Sequence, residues 1–266
     1  MKNLLAELPP AEIIDPEAIR AGLADGSIEL VCVLGPTASG KTRYAVQLAR
    51  ALGGEIISAD SRQVYRGMDI GTGKDLSEYG DVPYHLIDIA DSGDGYNVFR
   101  FAEDFGKAYA DIRSRGAVPI LCGGTGLYIN AITSGYDFRS HKPLSQPSDC
   151  PAGDGTLQPT PRTYFIGTLV TREVRNARID ARLDARLQEG MIEEIRGLLD
   201  RGVAPSVLLA YGLEYKYVTL YLLGELDYAA MREKLAIAIH QFAKRQMTWF
   251  RGMERSGTVI HWTEPN

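Results

Sequence analysis

The chain has 266 residues, 45% of them hydrophobic, and a formal net charge of −5. That length holds one large α/β domain, alone or with a smaller appendage, and the acidic balance gives no whole-molecule field of the kind that advertises a nucleic-acid binder, although a local basic face can still operate. No stretch approaches the roughly 20 apolar residues of a membrane span, no apolar run marks a signal peptide, and three cysteines without a C-x-x-C pair fit a reducing compartment, so a cytoplasmic protein without a membrane partner is expected.

Residues 1–27, rich in Ala, Glu, Asp and Pro, predict a short helix packed ahead of the first strand. Residues 28–34 (Ile-Glu-Leu-Val-Cys-Val-Leu) fit a buried strand. They run into Gly35-Pro36-Thr37-Ala38-Ser39-Gly40-Lys41-Thr42, a complete match to the phosphate-loop pattern G-x-x-x-x-G-K-[ST]. The spacing has a mechanism. Gly35 and Gly40 let the backbone turn tightly so that successive N–H groups converge on phosphate oxygens; Lys41 adds a point charge, and the Thr42 hydroxyl can ligate Mg²⁺. Ala45, Leu48, Ala49 and Leu52 then fall at helical spacing, so the loop opens a helix whose N-terminus also favours anions.

Glu55–Asp60 reads as a second strand ending in an acid, and Tyr84–Asp88 as another short one. A helix over about 97–114 places Phe101, Phe105, Ala108 and Ile112 on one face. Residues 117–122 are a further apolar strand, ending at Gly123-Gly124-Thr125 before a helix. Strands alternating with helices imply a mostly parallel sheet flanked by helices, whose ligands collect at the carboxyl ends of the strands. The Gly35–Thr42 loop, Asp60 and Thr125 should therefore converge. The chain divides into an extension (1–27), an α/β core (28–136), a segment at 137–163 with five prolines, and a last part (164–266). Composition makes 137–163 a flexible loop or disordered segment. Strand character resumes at 164–170, followed by helical patterns over about 172–201 and 225–254, joined through 202–224.

Asp60 can act as a general base, as a water-bridged Mg²⁺ ligand, or as a cap for the next turn. Asp69 and Lys74 either line the same cleft or belong to a plain loop. Thr125 either reaches the reacting phosphate or only shapes a turn. Arg178, Arg182 and Arg186 share one helical face at i, i+4, i+8, moderated by Asp180 and Asp184. The stretch Ala243–Arg251 sets basic residues beside aromatics, as either a packed amphipathic helix or a polyanion site. His85, His141, His240 and His261 show no metal-ligand spacing.

Taken in order, these pieces resemble the tRNA dimethylallyltransferases (isopentenyltransferases). The matching stretches are Gly35–Thr42, Ile57–Thr72, His85–Asp88, Gly123–Tyr128, Arg178–Gly190 and Ala243–Trp249. The resemblance implies a P-loop NTPase-like α/β fold with C-terminal helices. It implies transfer of the dimethylallyl group from dimethylallyl diphosphate to N6 of an adenine in tRNA, adenosine 37 next to the anticodon, with release of pyrophosphate. On the same ground Asp60 is the base, Arg182 the arginine on the leaving group, and Thr125 a helper near the bridging oxygen. Gly35, Thr37, Ala38, Ser39, Gly40, Lys41 and Thr42 would bind the diphosphate, with Mg²⁺ at Thr42. Ser61, Arg62, Gln63, Tyr65, Lys244, Arg245 and Gln246 would serve the acceptor. Family members carry a helical insertion after the Gly-Gly-Thr turn that grips the anticodon stem-loop; here only 137–163 occupies that place, so the chain resembles a shortened form. Ala210–Lys216 matches the family's Gly-Tyr-Lys-type motif loosely. Two other activities stay open: transfer to a free adenine nucleotide, as in adenylate isopentenyltransferases, and phosphate transfer by a P-loop small-molecule kinase. A non-catalytic relative is disfavoured by the intact Lys41, Thr42, Asp60 and Thr125.

Overall fold

The sheet grows from a run that is apolar on both faces. In the computed structural model, which describes residues 9–134, 136–137, 142–143 and 160–265, β1 (Leu30–Leu34) is buried at every position, as a strand covered from both sides must be. With β2 (Gly54–Ala59), β3 (Tyr84–His85), β4 (Val118–Gly123), β7 (Thr163–Thr168) and β8 (Ile260–Thr263) it forms a six-stranded sheet in the order β3-β2-β4-β1-β7-β8. Every pairing in that sheet is parallel. The fragments β5 (Tyr136–Asp137) and β6 (Lys142–Pro143) pair with each other, antiparallel, apart from it. Most of the expected flexible loop at 137–163 lies outside the described residues, as do His141 and Cys150.

Alternation along β1 sorts the core. Val31 and Val33 face α1 (Pro16–Asp25) and α2 (Lys41–Leu52), where Ile19, Ala45, Leu48 and Leu52 meet Ile56, Ile120 and Ile166. Leu30, Cys32 and Leu34 face the opposite layer, α3 (Val98–Ser114), α4 (Gly126–Thr133) and part of α9 (Tyr228–Arg255), through Phe101, Phe105, Ile129 and Phe250. Of the expected helical face, Phe101, Phe105 and Ile112 are buried, and Ala108 is partly buried against the same core. Cys32 and Cys122 are buried free thiols. α1 begins where Asp15 accepts a hydrogen bond from the Glu17 N–H, with Pro16 at the first helical position, and ends at Gly26 with φ +78°; such a cap contributes about 1 kcal/mol.

A third core is helical. α5 (Arg172–Glu189), α6 (Met191–Asp200), α7 (Pro205–Ala210), α8 (Leu213–Leu222) and α9 bury Ile179, Leu183, Ile195, Tyr215 and Leu235 together with Val64, Tyr65 and Met68, which follow the carboxyl end of β2. The long helical patterns at 172–201 and 225–254 are present, the first broken at Gly190 with φ +104°. The joint at 202–224 is itself two helices, and β8 adds an edge strand with no counterpart in the sequence reading. β3 is shorter than expected because Leu86 (φ +62°) and Asp88 (φ +56°) enter the left-handed region and end the strand. Among the described residues no helix is long and apolar enough to cross a membrane.

Candidate active site

The loop after β1 owes its shape to two left-handed residues, Ala38 (φ +61°) and Gly40 (φ +84°), which turn successive N–H groups inward. α2 starts at Lys41, so the first-turn N–H groups have no acceptor within the helix and face what the loop holds. Beneath the loop, Ser39 Oγ and Thr168 Oγ1 share a hydrogen bond of 2.6 Å. A Cβ at Gly35 would overlap both hydroxyls, so only glycine fits there. Lys41 is half-buried, and its loss of hydration lowers its pKa, although the thiol Cys122 and the carboxylate Asp60 oppose the shift.

Across the mouth of this loop lies one cavity of about 870 Å³, the size of a small-molecule pocket. Thr37, Ala38, Gly40, Lys41 and Thr42 line it from the loop, and Asp60, Ser61, Arg62 and Gln63 from the turn after β2. Thr125 enters from the turn after β4, Arg178, Arg182 and Arg186 from α5, and Arg245 and Gln246 from α9. Three strand ends thus converge, and a helical wall closes over them. Asp60 Oδ1 accepts from the Arg62 N–H at 2.9 Å, which orients the carboxylate. Thr125 Oγ1 accepts from the Ser61 N–H at 3.1 Å, tying the two turns together. Gln63 Nε2 donates to Gly73 O at 3.0 Å.

Four predicted site residues lie elsewhere. Gly35 and Ser39 shape the base of the loop and do not line the cavity. Tyr65 is corrected from an acceptor contact to a core residue: its ring stacks on Tyr211 with centroids 4.6 Å apart, and its hydroxyl donates to Asp94 O at 3.1 Å. Lys244 is exposed on α9, outside the cavity. Gln246 lines the cavity, yet its amide is spent on the protein. Oε1 accepts from the Thr37 N–H at 2.8 Å and Nε2 donates to Gly124 O at 2.9 Å, so it braces the phosphate loop against the Gly-Gly-Thr turn. Lys74 resolves to a structural pin: its buried ammonium is held by Asp69 at 2.9 Å, by Asp88 and by the Tyr65 carbonyl.

Several residues carry weight that the sequence did not announce. Glu194 accepts from the N–H groups of Asp69, Ile70 and Gly71 at 2.8, 2.7 and 3.1 Å and from the Tyr215 hydroxyl at 2.7 Å, fastening the 69–75 loop to the helical wall. Asp75 pairs with Arg182 at 3.2 Å. Glu214 lines the cavity, and burial raises its pKa. The signals for Glu214 in the sequence are its place in the loose motif match at Ala210–Lys216 and a lone acid within the aromatic stretch Tyr211–Tyr215.

Comparison with known proteins places this geometry. Residues 63–150 and 140–253 match the family described as IPP transferase, and residues 28–79 match the one described as isopentenyl transferase. The chain belongs to the IPP transferase family. It is 47% identical to tRNA dimethylallyltransferase 1 of Azobacteroides pseudotrichonymphae, covering 89% of this chain and 93% of that one. It is 48% identical to tRNA dimethylallyltransferase 1 of Porphyromonas gingivalis, covering 88% and 93%. A solved structure, the full-length tRNA isopentenylpyrophosphate transferase of Bacillus halodurans, superposes with a TM-score of 0.75 at 32% identity, covering 89% of both chains. The family's parallel sheet flanked by helices is the fold found here. The first of these alignments runs over 284 positions while taking in 89% of this 266-residue chain, so that relative carries residues with no counterpart here. The two parts of the IPP transferase match meet at 140–150, inside the proline-rich segment.

Proposed function

We propose that the chain is a prenyltransferase that moves a dimethylallyl group from dimethylallyl diphosphate to N6 of an adenine in tRNA, releasing pyrophosphate. The observation that carries the reading is the meeting of a complete phosphate loop, Asp60 and Arg182 in one cavity of an IPP transferase family member. The exocyclic amine is a poor nucleophile because its lone pair is delocalised into the ring. As that pair bonds to C1 of the dimethylallyl group, the C1–O bond breaks and its electrons pass to the leaving diphosphate. Asp60 takes the proton lost from N6, and the Arg62 N–H keeps the carboxylate aimed. The loop N–H groups, Lys41 and Arg182 bind the growing negative charge, with Thr125 beside the bridging oxygen.

Mg²⁺ takes oxygen donors and is commonly held jointly by one or two protein groups and substrate phosphates. Thr42, Asp60 and Glu78 line the cavity, and among the described residues no group of three or more His, Cys, Asp or Glu is placed to cage a metal. That donor set fits Mg²⁺ at Thr42, where the ion would neutralise charge on the diphosphate. Ser61, Arg62, Gln63 and Arg245 border the acceptor side of the cavity, and Gln246 sets the spacing of its two loops.

The test supplies labelled dimethylallyl diphosphate with either unmodified tRNA or AMP. Label in tRNA is the expected result. Label in AMP alone would transfer the activity to the adenylate class, and phosphate transfer from ATP without use of the prenyl donor would make the protein a kinase.

A further inference from the structure

The arginine ladder on α5 is short of protein partners. Arg178, Arg182 and Arg186 all line the cavity, and Arg182 pairs with Asp75. Arg186 Nη2 is shielded from solvent and has no hydrogen-bond partner. The two neighbours are crowded. A Cβ at Gly73 would overlap Nη2 of both Arg182 and Arg186, which places these like-charged nitrogens within 4 Å of one another. Burial, with the charge of Arg182 adding to it, pushes Arg186 down to about 10, still a cation at neutral pH. The charges of Glu214, Asp75 and Glu189 offset part of this.

A buried cationic donor without a partner is costly, and a second cation beside it raises the cost. An anion with several oxygens would satisfy both forks at once. The anion would sit in the main cavity, which Lys41, Arg182 and Arg186 all line. A recess of about 20 Å³, room for about one water and too small for a diphosphate, is lined by Arg182, Arg186, Glu214 and the tip of the phosphate loop at Thr37 and Ala38. The unpartnered guanidinium therefore shares a recess with the loop that cradles phosphate.

We propose that Arg186 is a second guanidinium of the diphosphate site, clamping the leaving group together with Arg182 from the helical wall while Lys41 holds it from the loop. The proposal rests on the diphosphate reading above and extends it to a residue that the motif comparison left unassigned. As the C1–O bond breaks, charge grows on the diphosphate, and two forks at fixed positions take it up without reorganising.

The experiment compares wild type, Arg186→Met and Arg186→Lys, with inorganic pyrophosphate as the probe. Methionine keeps the unbranched stem and removes the charge. Without ligand, Arg186→Met should melt at or above the wild-type temperature, because the crowding is relieved. Its pyrophosphate Kd, by calorimetry, should rise at least tenfold, and kcat with tRNA should fall at least tenfold. Arg186→Lys should recover part of the pyrophosphate affinity. Pyrophosphate binding by Arg186→Met within twofold of wild type would overturn the proposal and leave the function reading intact. Wild type that binds no pyrophosphate would overturn both.

Discussion

The two ends of the sheet treat charge in opposite ways. At the amino end, Glu55 near the start of β2 is held by His85 Nε2 at 2.7 Å and Arg115 Nη2 at 2.8 Å, and Arg115 also pairs with Asp111. Every member of that cluster has a protein partner. At the carboxyl end Arg186 Nη2 has none and presses against Arg182, and Lys41 and Asp60 both line the cavity. A fold selected for stability alone would not leave such groups uncompensated. The comparison separates charges that hold the protein together from charges that wait for a ligand.

The sharpest way to break the comparison is to change one waiting group and look for a loss of stability. Asp60→Asn should lower turnover by about 10²–10⁴-fold, the scale of general-base catalysis, with pyrophosphate binding and melting temperature nearly unchanged. Steady-state kinetics beside a thermal melt checks this; wild-type turnover would remove Asp60 as the base. Lys41→Ala should differ in kind. It takes a cation from the diphosphate itself, so donor affinity and turnover fall together.

Gln246 tests the join between the phosphate loop and the helical wall. Gln246→Ala leaves the half-buried Thr37 N–H and the buried Gly124 carbonyl without their partner, and a buried group so stranded costs about 1–3 kcal/mol. Denaturant unfolding should register that loss, and the KM for the donor should rise as the loop loses its brace. A variant as stable as wild type, with raised KM for tRNA only, would restore the acceptor role expected from the motif.

Gln246 also shows where sequence reading stops. The phosphate loop, Asp60 and the Gly-Gly-Thr turn were legible because each is a local signal at a strand end, and parallel sheets gather such ends by rule. The family motif flagged Gln246, yet its role depends on a backbone N–H 209 positions away. Tyr65 fails for the same reason: Tyr211, the ring that covers it, belongs to a helix-to-helix link that no periodicity marked. α7 is six residues long, and α8, Leu-Glu-Tyr-Lys-Tyr-Val-Thr-Leu-Tyr-Leu, mixes strand-favouring residues into a helix. β8 has only four residues, and its place beside β7 is fixed by tertiary pairing. Arg186 was visible as the third rung of a ladder; that its Nη2 lacks a partner is a fact of packing alone.

The amino-end cluster gives the smallest effect and the mirror image of the first prediction. Burial pushes the Glu55 pKa up, but the hydrogen bonds and charges of Arg115 and His85 outweigh it, and the net shift is downward. A carboxyl with a depressed folded-state pKa contributes its full stability above its unfolded value, about 4.3, and loses it as pH falls through the folded-state value. Glu55→Gln should therefore melt a few degrees below wild type at pH 7, with the gap closing as the pH drops below about 4. Its kcat should match wild type, because the cluster lies at the end of the sheet away from the cavity. A pH-independent gap would mean that packing, not charge, is what Glu55 contributes, and a fall in kcat would erase the division between the two ends.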